Sequence, residues 1–167
     1  MDINKSTRHS KITGDFAEAL VLYWLSKYGF ECARVDHTGI DLIARNPHSA
    51  EVMGISVKSR CRIVGRESTC VSIPLDNFEK VAKACDAFRC QPYFAIVVDA
   101  ADLIRGFILS MDRLRELCPA RERGSYWKMS PKFMKRCGDS GDVRMFEFQT
   151  STRNWWNNGS MTSMTGG

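Results

Sequence analysis

The run Tyr93-Phe-Ala-Ile-Val-Val98 is apolar at every position. A strand with one wet face alternates apolar and polar side chains, so an unbroken run reads as a central strand buried on both faces. Such a strand needs a cover on each side, and helices can supply it. With helices and strand hairpins in order around it, this run points to an α/β architecture with a mixed sheet between helices.

The flanking sequence fits that frame. A helix is read from Thr13, its N-cap, to a stop at Gly29. Phe16, Leu20, Val21, Trp24 and Tyr28 recur at helical spacing and define its apolar face. Glu18 lies at the edge of this stripe. Short strands are read at 32–35, 40–45 and 52–59, with turns at 36–39 and at Asn46-Pro47. The two strands joined by the second turn are expected to pair antiparallel. A further strand is read at 69–73. Asp76-Asn-Phe-Glu79 has capping-box spacing and opens a helix to Phe88, ended by Gln91-Pro92. The segment 104–109 pairs with the buried run, Ser110 caps a short helix through Leu114 and Leu117, and 143–148 alternates as a late strand. Residues 1–12 read as a basic flexible arm, 13–153 as one domain, and 154–167 as a disordered tail, partly like an appended scar.

Composition narrows the function. The 167 residues are 44% apolar, enough for one full core. No apolar stretch is long enough for a membrane span and no signal peptide is evident, so a cytoplasmic protein without a membrane partner is expected. The net charge of +5 suits a polyanionic partner. Seven scattered cysteines without a Cys-x-x-Cys pair, and three scattered histidines, disfavour zinc or a disulfide framework.

Two runs carry the chemistry. Ile40-Asp-Leu-Ile-Ala44 holds Asp41, and Ile55-Ser-Val-Lys58 holds Lys58, with Ser56 on the same strand face as Lys58. On neighbouring strands a carboxylate and an ammonium can frame a divalent cation and a phosphate. The Val57 carbonyl could add a metal ligand, and Glu18 could join through water. The plainer reading of Asp41 and Lys58 is a salt bridge in an unrelated α/β domain.

With these elements in order, the chain resembles the PD-(D/E)xK nuclease superfamily, and within it the archaeal Holliday junction resolvases. The resemblance spans roughly residues 11 to 117. It rests on Gly14-Asp-Phe-Ala-Glu18, Tyr28-Gly-Phe30, Arg34-Val35, Gly39-Ile-Asp41 and Ile55-Ser-Val-Lys58-Ser-Arg60. It implies a restriction-endonuclease-like three-layer domain and a Mg²⁺- or Mn²⁺-dependent endonuclease, with DNA as partner (branched DNA included), a homodimer, and no small-molecule cofactor. Asp41 and the Val57 carbonyl would hold the metal, Glu18 would support it, and Lys58 would assist the attacking water.

Ser56 departs from the pattern, which places Asp or Glu there as a direct ligand. Metal should therefore bind weakly, unless Glu79 substitutes as a ligand from the following helix, with Asp76 beside it. Glu67 and Glu51 are further candidates on turns. The alternative is a nucleic-acid-binding or assembly module that has lost its metal. Lys11, Arg60, Arg62 and Arg66 are candidate phosphate contacts. His37 reads as a turn residue, and Trp155-Trp156 as packing or base-stacking groups.

Overall fold

The computed structural model describes residues 5–63, 65–100, 102–151 and 153; Trp155 and Trp156 lie outside them. Helix α1 (His9–Lys27) precedes the strands β1 (Glu31–His37), β2 (Ile40–Arg45), β3 (Val52–Arg62) and β4 (Val71–Ile73). Then come α2 (Leu75–Phe88), β5 (Gln91–Ala100), β6 (Leu103–Ser110), α3 (Met111–Leu117), β7 (Ser125–Trp127), α4 (Pro131–Gly138) and β8 (Arg144–Gln149).

Six strands form a mixed sheet in the order β1-β2-β3-β5-β6-β8, and β4 and β7 form a separate pair. The buried run lies at the centre as β5, parallel to β3 and antiparallel to β6. Two apolar clusters lie on the two sheet faces. Ala17, Val21 and Leu25 of α1 pack on Leu42, Ile55, Ala95 and Val97. On the other face, residues of α2, α3, α4 and the small sheet surround Phe94, Ile96, Val98 and Phe107. The result is the expected three-layer α/β domain.

Several expectations shift. The first helix begins at His9, so residues 9–12 belong to it, not to a flexible arm. Thr13 is not its cap; the hydroxyl donates instead to the His9 carbonyl one turn back, at 2.8 Å. The buried face of α1 is rotated by about one residue from the expected stripe. Ala17 and Leu25 are buried while Phe16 and Tyr28 are exposed, because small Ala17 lets the helix approach the sheet. Gly29 does end the helix, at φ 85°. The Asp76–Glu79 capping box does not form. Pro74 precedes the first turn of α2, and Asp76 instead binds Lys80 at 2.7 Å. Gln91 and Pro92 open β5 and do not merely end α2. Proline is tolerated because the β6 ladder starts only at Tyr93. The segment read as a strand at 69–73 joins β7, outside the main sheet.

A glycine fixes how the sheet meets α2. Gly39, in the turn leading to Asp41, has φ 113°, and a Cβ there would press into the Lys80 backbone carbonyl. Gly39→Ala therefore combines positive-φ strain with a backbone clash. It is expected to cost on the order of 3 kcal/mol, read as a lower denaturation midpoint. A midpoint within error of the parent would remove this role from Gly39.

Candidate active site

β2 and β3 pair over only four positions, ending at Leu42 opposite Ile55. Beyond that point β3 continues from Ser56 to Arg62 without β2, while its other edge stays matched to β5 as far as Ala100. Asp41 stands where the strands part. Its Oδ2 accepts the Val57 backbone N–H at 2.6 Å and the Ser56 hydroxyl at 3.5 Å. The first bond replaces a ladder partner that β2 no longer offers, and a hydrogen bond to a charged acceptor stabilises by about 2 kcal/mol. The N–H and C=O of one strand residue face the same edge, so the Val57 carbonyl also faces the edge where Asp41 sits.

Side-chain alternation sorts the rest. Val57 packs with the α1 cluster. Ser56 and Lys58 point to the opposite face, toward the start of α2, and Ser56 is 2% exposed. Burial pushes the Lys58 ammonium below the usual lysine range. Asp41 opposes that shift, Arg60 adds to it, Asp76 opposes it and Lys80 adds to it. Glu18 reaches the same locus from α1. Burial raises its carboxyl, and the Asp41 charge raises it further, against Arg34. The Arg34 guanidinium lies 3.9 Å from Glu18 and donates to the Asp15 carbonyl at 2.8 Å.

The expected residues thus divide. Asp41 bonds Ser56 and Val57, and its charge acts on Lys58, on the α2 side, and on Glu18, on the α1 side. Glu79 does not join them: it is exposed on α2 and makes no hydrogen bond or ion pair among the described residues. The α2 carboxylate that acts on Lys58 belongs to Asp76. Glu51 is turned to the Tyr93 hydroxyl, 3.3 Å away, and Glu67 accepts the Gly65 N–H at 2.8 Å. His37 ends β1 and packs edge-on against Phe88, at 5.2 Å.

Among the phosphate-contact candidates, Arg60 is exposed at the outer part of β3, beside Lys58. Arg62 instead ties β3 to the loop before β4, donating to the Cys70 carbonyl at 2.7 Å. Arg66 is exposed in that loop, and Lys11 pairs with Asp15 at 3.2 Å. A basin of about 450 Å³ flanks the end of β3, and among the described residues no carboxylate lines it. Its walls include Lys5, His9, Thr13, Ser59 and Arg60. Sequence reasoning missed Arg34, Lys5 and His9; no periodicity signals a contact made across elements.

The donor set bears on a divalent cation. The Asp41 charge disfavours that of Glu18, a conflict that a cation between them would relieve. Asp41 Oδ2 is already engaged, and among the described residues no cluster of three or more His, Cys, Asp or Glu forms. The residues fit a magnesium ion that keeps most of its waters; they do not form a closed cage.

No family model matches the chain, and no curated protein matches it. Its fold does match solved structures. A Holliday junction resolvase from the hyperthermophilic archaeon Archaeoglobus fulgidus superposes with a TM-score of 0.54 at 18% identity, over 74% of this chain and 88% of that one. A restriction endonuclease in complex with substrate DNA aligns at TM-score 0.42 and 11% identity, over 90% of this chain and 75% of that one. The resolvase likeness establishes the fold as restriction-endonuclease-like. No helix among the described residues is long and apolar enough to cross a membrane.

The Glu18 environment sets a pH dependence. A carboxyl raised in the folded chain is ionised more readily when unfolded, so its charge destabilises the fold at neutral pH. Glu18→Gln is expected to melt higher than the parent at pH 7. The gap should narrow as pH falls through the raised value and close below the ordinary 4.5, where Glu18 is protonated in both states. Thermal melts at several pH values test this, and a variant that melts lower at pH 7 contradicts it.

Proposed function

We propose that this protein acts on DNA as a divalent-metal-dependent endonuclease with weak metal affinity. The observation that supports this most is that Asp41, placed where β2 leaves β3, acts on both Glu18 and a half-buried Lys58. Phosphodiester hydrolysis needs a place for a cation, a group to manage the attacking water, and positive charge for the phosphate. Asp41 and the Val57 carbonyl would hold Mg²⁺ or Mn²⁺ directly, and Glu18 would hold it through water. Once bound, the ion would supply Lewis acidity and a more acidic water. Lys58, its proton loosened by burial, would orient the attacking water and stand near the charge that develops on the phosphate. Arg60 and the basin beside it position the backbone. Branched DNA and a homodimer remain part of this reading on resemblance alone, and a cytoplasmic location on the sequence expectation alone.

A second reading has its own support. Buried Ser56 donates to Asp41 where the nuclease pattern has a carboxylate, so the protein would bind DNA without cutting it.

A cleavage assay over duplex, single-stranded and branched DNA with Mg²⁺ or Mn²⁺ separates the two. The endonuclease reading expects cleavage that falls at least about 100-fold in Asp41→Ala and Lys58→Ala. Full activity in both variants rejects it, and DNA binding without cleavage by the parent favours the second reading.

Ser56→Glu tests the missing ligand. A second buried carboxylate beside Asp41 is expected to cost about 3 kcal/mol without metal, or roughly 9 °C in melting temperature. Mg²⁺ or Mn²⁺ should restore most of that loss in the variant and shift the parent much less. Equal metal shifts in both proteins would mean that position 56 does not face the cation.

A further inference from the structure

The formal net charge of the whole chain is +5, and residues 121–136 alone carry it: six basic residues against Glu122. The rest of the chain is balanced. This stretch lies beyond the part that resembles the nucleases, and it contains β7 and α4.

The fold turns much of it toward one groove. Phe133 and Cys137 anchor α4 in the core, which leaves Lys132, Lys135 and Arg136 exposed, with Lys128 exposed just before the helix. Lys128, Lys132, Lys135 and Arg136 line a groove of about 800 Å³ together with Arg113. Two of these cations are already neutralised: Lys135 by Asp139 at 2.7 Å, and Arg113 by Glu116 at 2.7 Å with Asp142 at 3.7 Å. Lys128, Lys132 and Arg136 have no ion-pair partner among the described residues. Lys132 and Arg136, one turn apart, repel each other. Lys132 also sits in the first turn of α4, where the helix dipole disfavours a cation and where no acidic residue is present. This arrangement works against the folded chain alone and suits an extended anion.

The type of anion follows from what is missing around these cations. A helix that lies on a membrane shows large apolar side chains beside its lysines. Among the described residues, the exposed large apolar ones lie elsewhere, on α1, around β3 and α2, and on β8; none is on the outer face of α4. The groove also lies away from Asp41 and Lys58. Arg113 follows Ser110, which pairs with Tyr93 near the start of β5, whereas Lys58 pairs with Ile96 farther along.

We propose that Lys128, Lys132 and Arg136 form a second nucleic-acid contact, one that grips the phosphate backbone of duplex DNA apart from the Asp41–Lys58 site. This rests on the DNA-binding part of the function proposed above. Backbone contacts of this kind carry no sequence information; they add affinity and fix orientation.

The test is duplex binding by fluorescence anisotropy over a series of salt concentrations, in EDTA so that no strand is cut, using the full chain. In the triple variant Lys128→Gln, Lys132→Gln, Arg136→Gln, the slope of log K against log salt is expected to shrink by about 2.7, at about 0.9 per lost phosphate contact. The charge-preserving triple variant Lys128→Arg, Lys132→Arg, Arg136→Lys should keep the parent slope. Circular dichroism melts confirm that both variants fold. A parent slope retained by the glutamine variant overturns the α4 contact and leaves the proposed function standing. A parent that does not bind duplex overturns the α4 contact, and one that binds neither single-stranded nor branched DNA as well overturns both. A variant that loses affinity for phosphatidylserine vesicles but not for duplex also overturns the DNA assignment.

Discussion

β3 has two unequal edges, and the rest of the site depends on that inequality. One edge is matched to β5 for ten consecutive positions, while the other meets β2 for four. The long parallel pairing holds β3 straight through the core, since β5 is buried on both faces and cannot yield without exposing apolar surface. β2 can then leave without dragging β3 along. A strand edge left bare in a protein interior would strand backbone polar groups. Asp41 meets that need at Val57, so one carboxylate serves both the backbone and the candidate chemistry.

This dual service sets the electrostatic character of the site. Lys58 and Glu18 are both held in surroundings that disfavour their charged forms, and each has Asp41 as a charged neighbour. Asp41 therefore steadies the ammonium and unsettles the carboxylate at once. Ser56, neutral and buried, adds a hydroxyl to Asp41 without a second negative charge. The outcome is a polar cluster that is tolerable to the fold without metal, where a second buried carboxylate would need a cation to offset it.

Much of the architecture was legible in the sequence because long, strongly patterned segments report their surroundings. The apolar run of β5, the hairpin of β2 and β3, the Gly29 stop and the Ser110 cap all read correctly. What failed was short or contextual. β7 has three residues and α4 eight, too few for a period to stand out. The Asp76–Glu79 spacing matched a capping box, but Lys80 one turn along offered Asp76 a stronger partner. The same spacing sets Asp76 apart from its neighbour: Glu79 fits a rescue ligand by chain position, yet Asp76 is the α2 carboxylate that acts on Lys58. Asp41, Ser56 and Lys58 were visible as charges and gaps on alternating strands; Arg34 was not, because its role depends on α1 lying across β1.

The contact of Gly39 with the Lys80 carbonyl bears on how such a site works mechanically. The turn that carries Asp41 rests on the backbone of α2, and Asp41 is bonded to the backbone of β3. The first anchor is backbone on backbone and cannot be released by rotating a side chain; the second holds through the Asp41 carboxylate. Packed elements joined in this way move as a block or not at all. The site behaves like an anvil, without the travel of a jaw, so the distortion needed for a close fit falls on the bound molecule. A ligand that already bends or opens easily would be preferred over a stiff one before any chemistry begins.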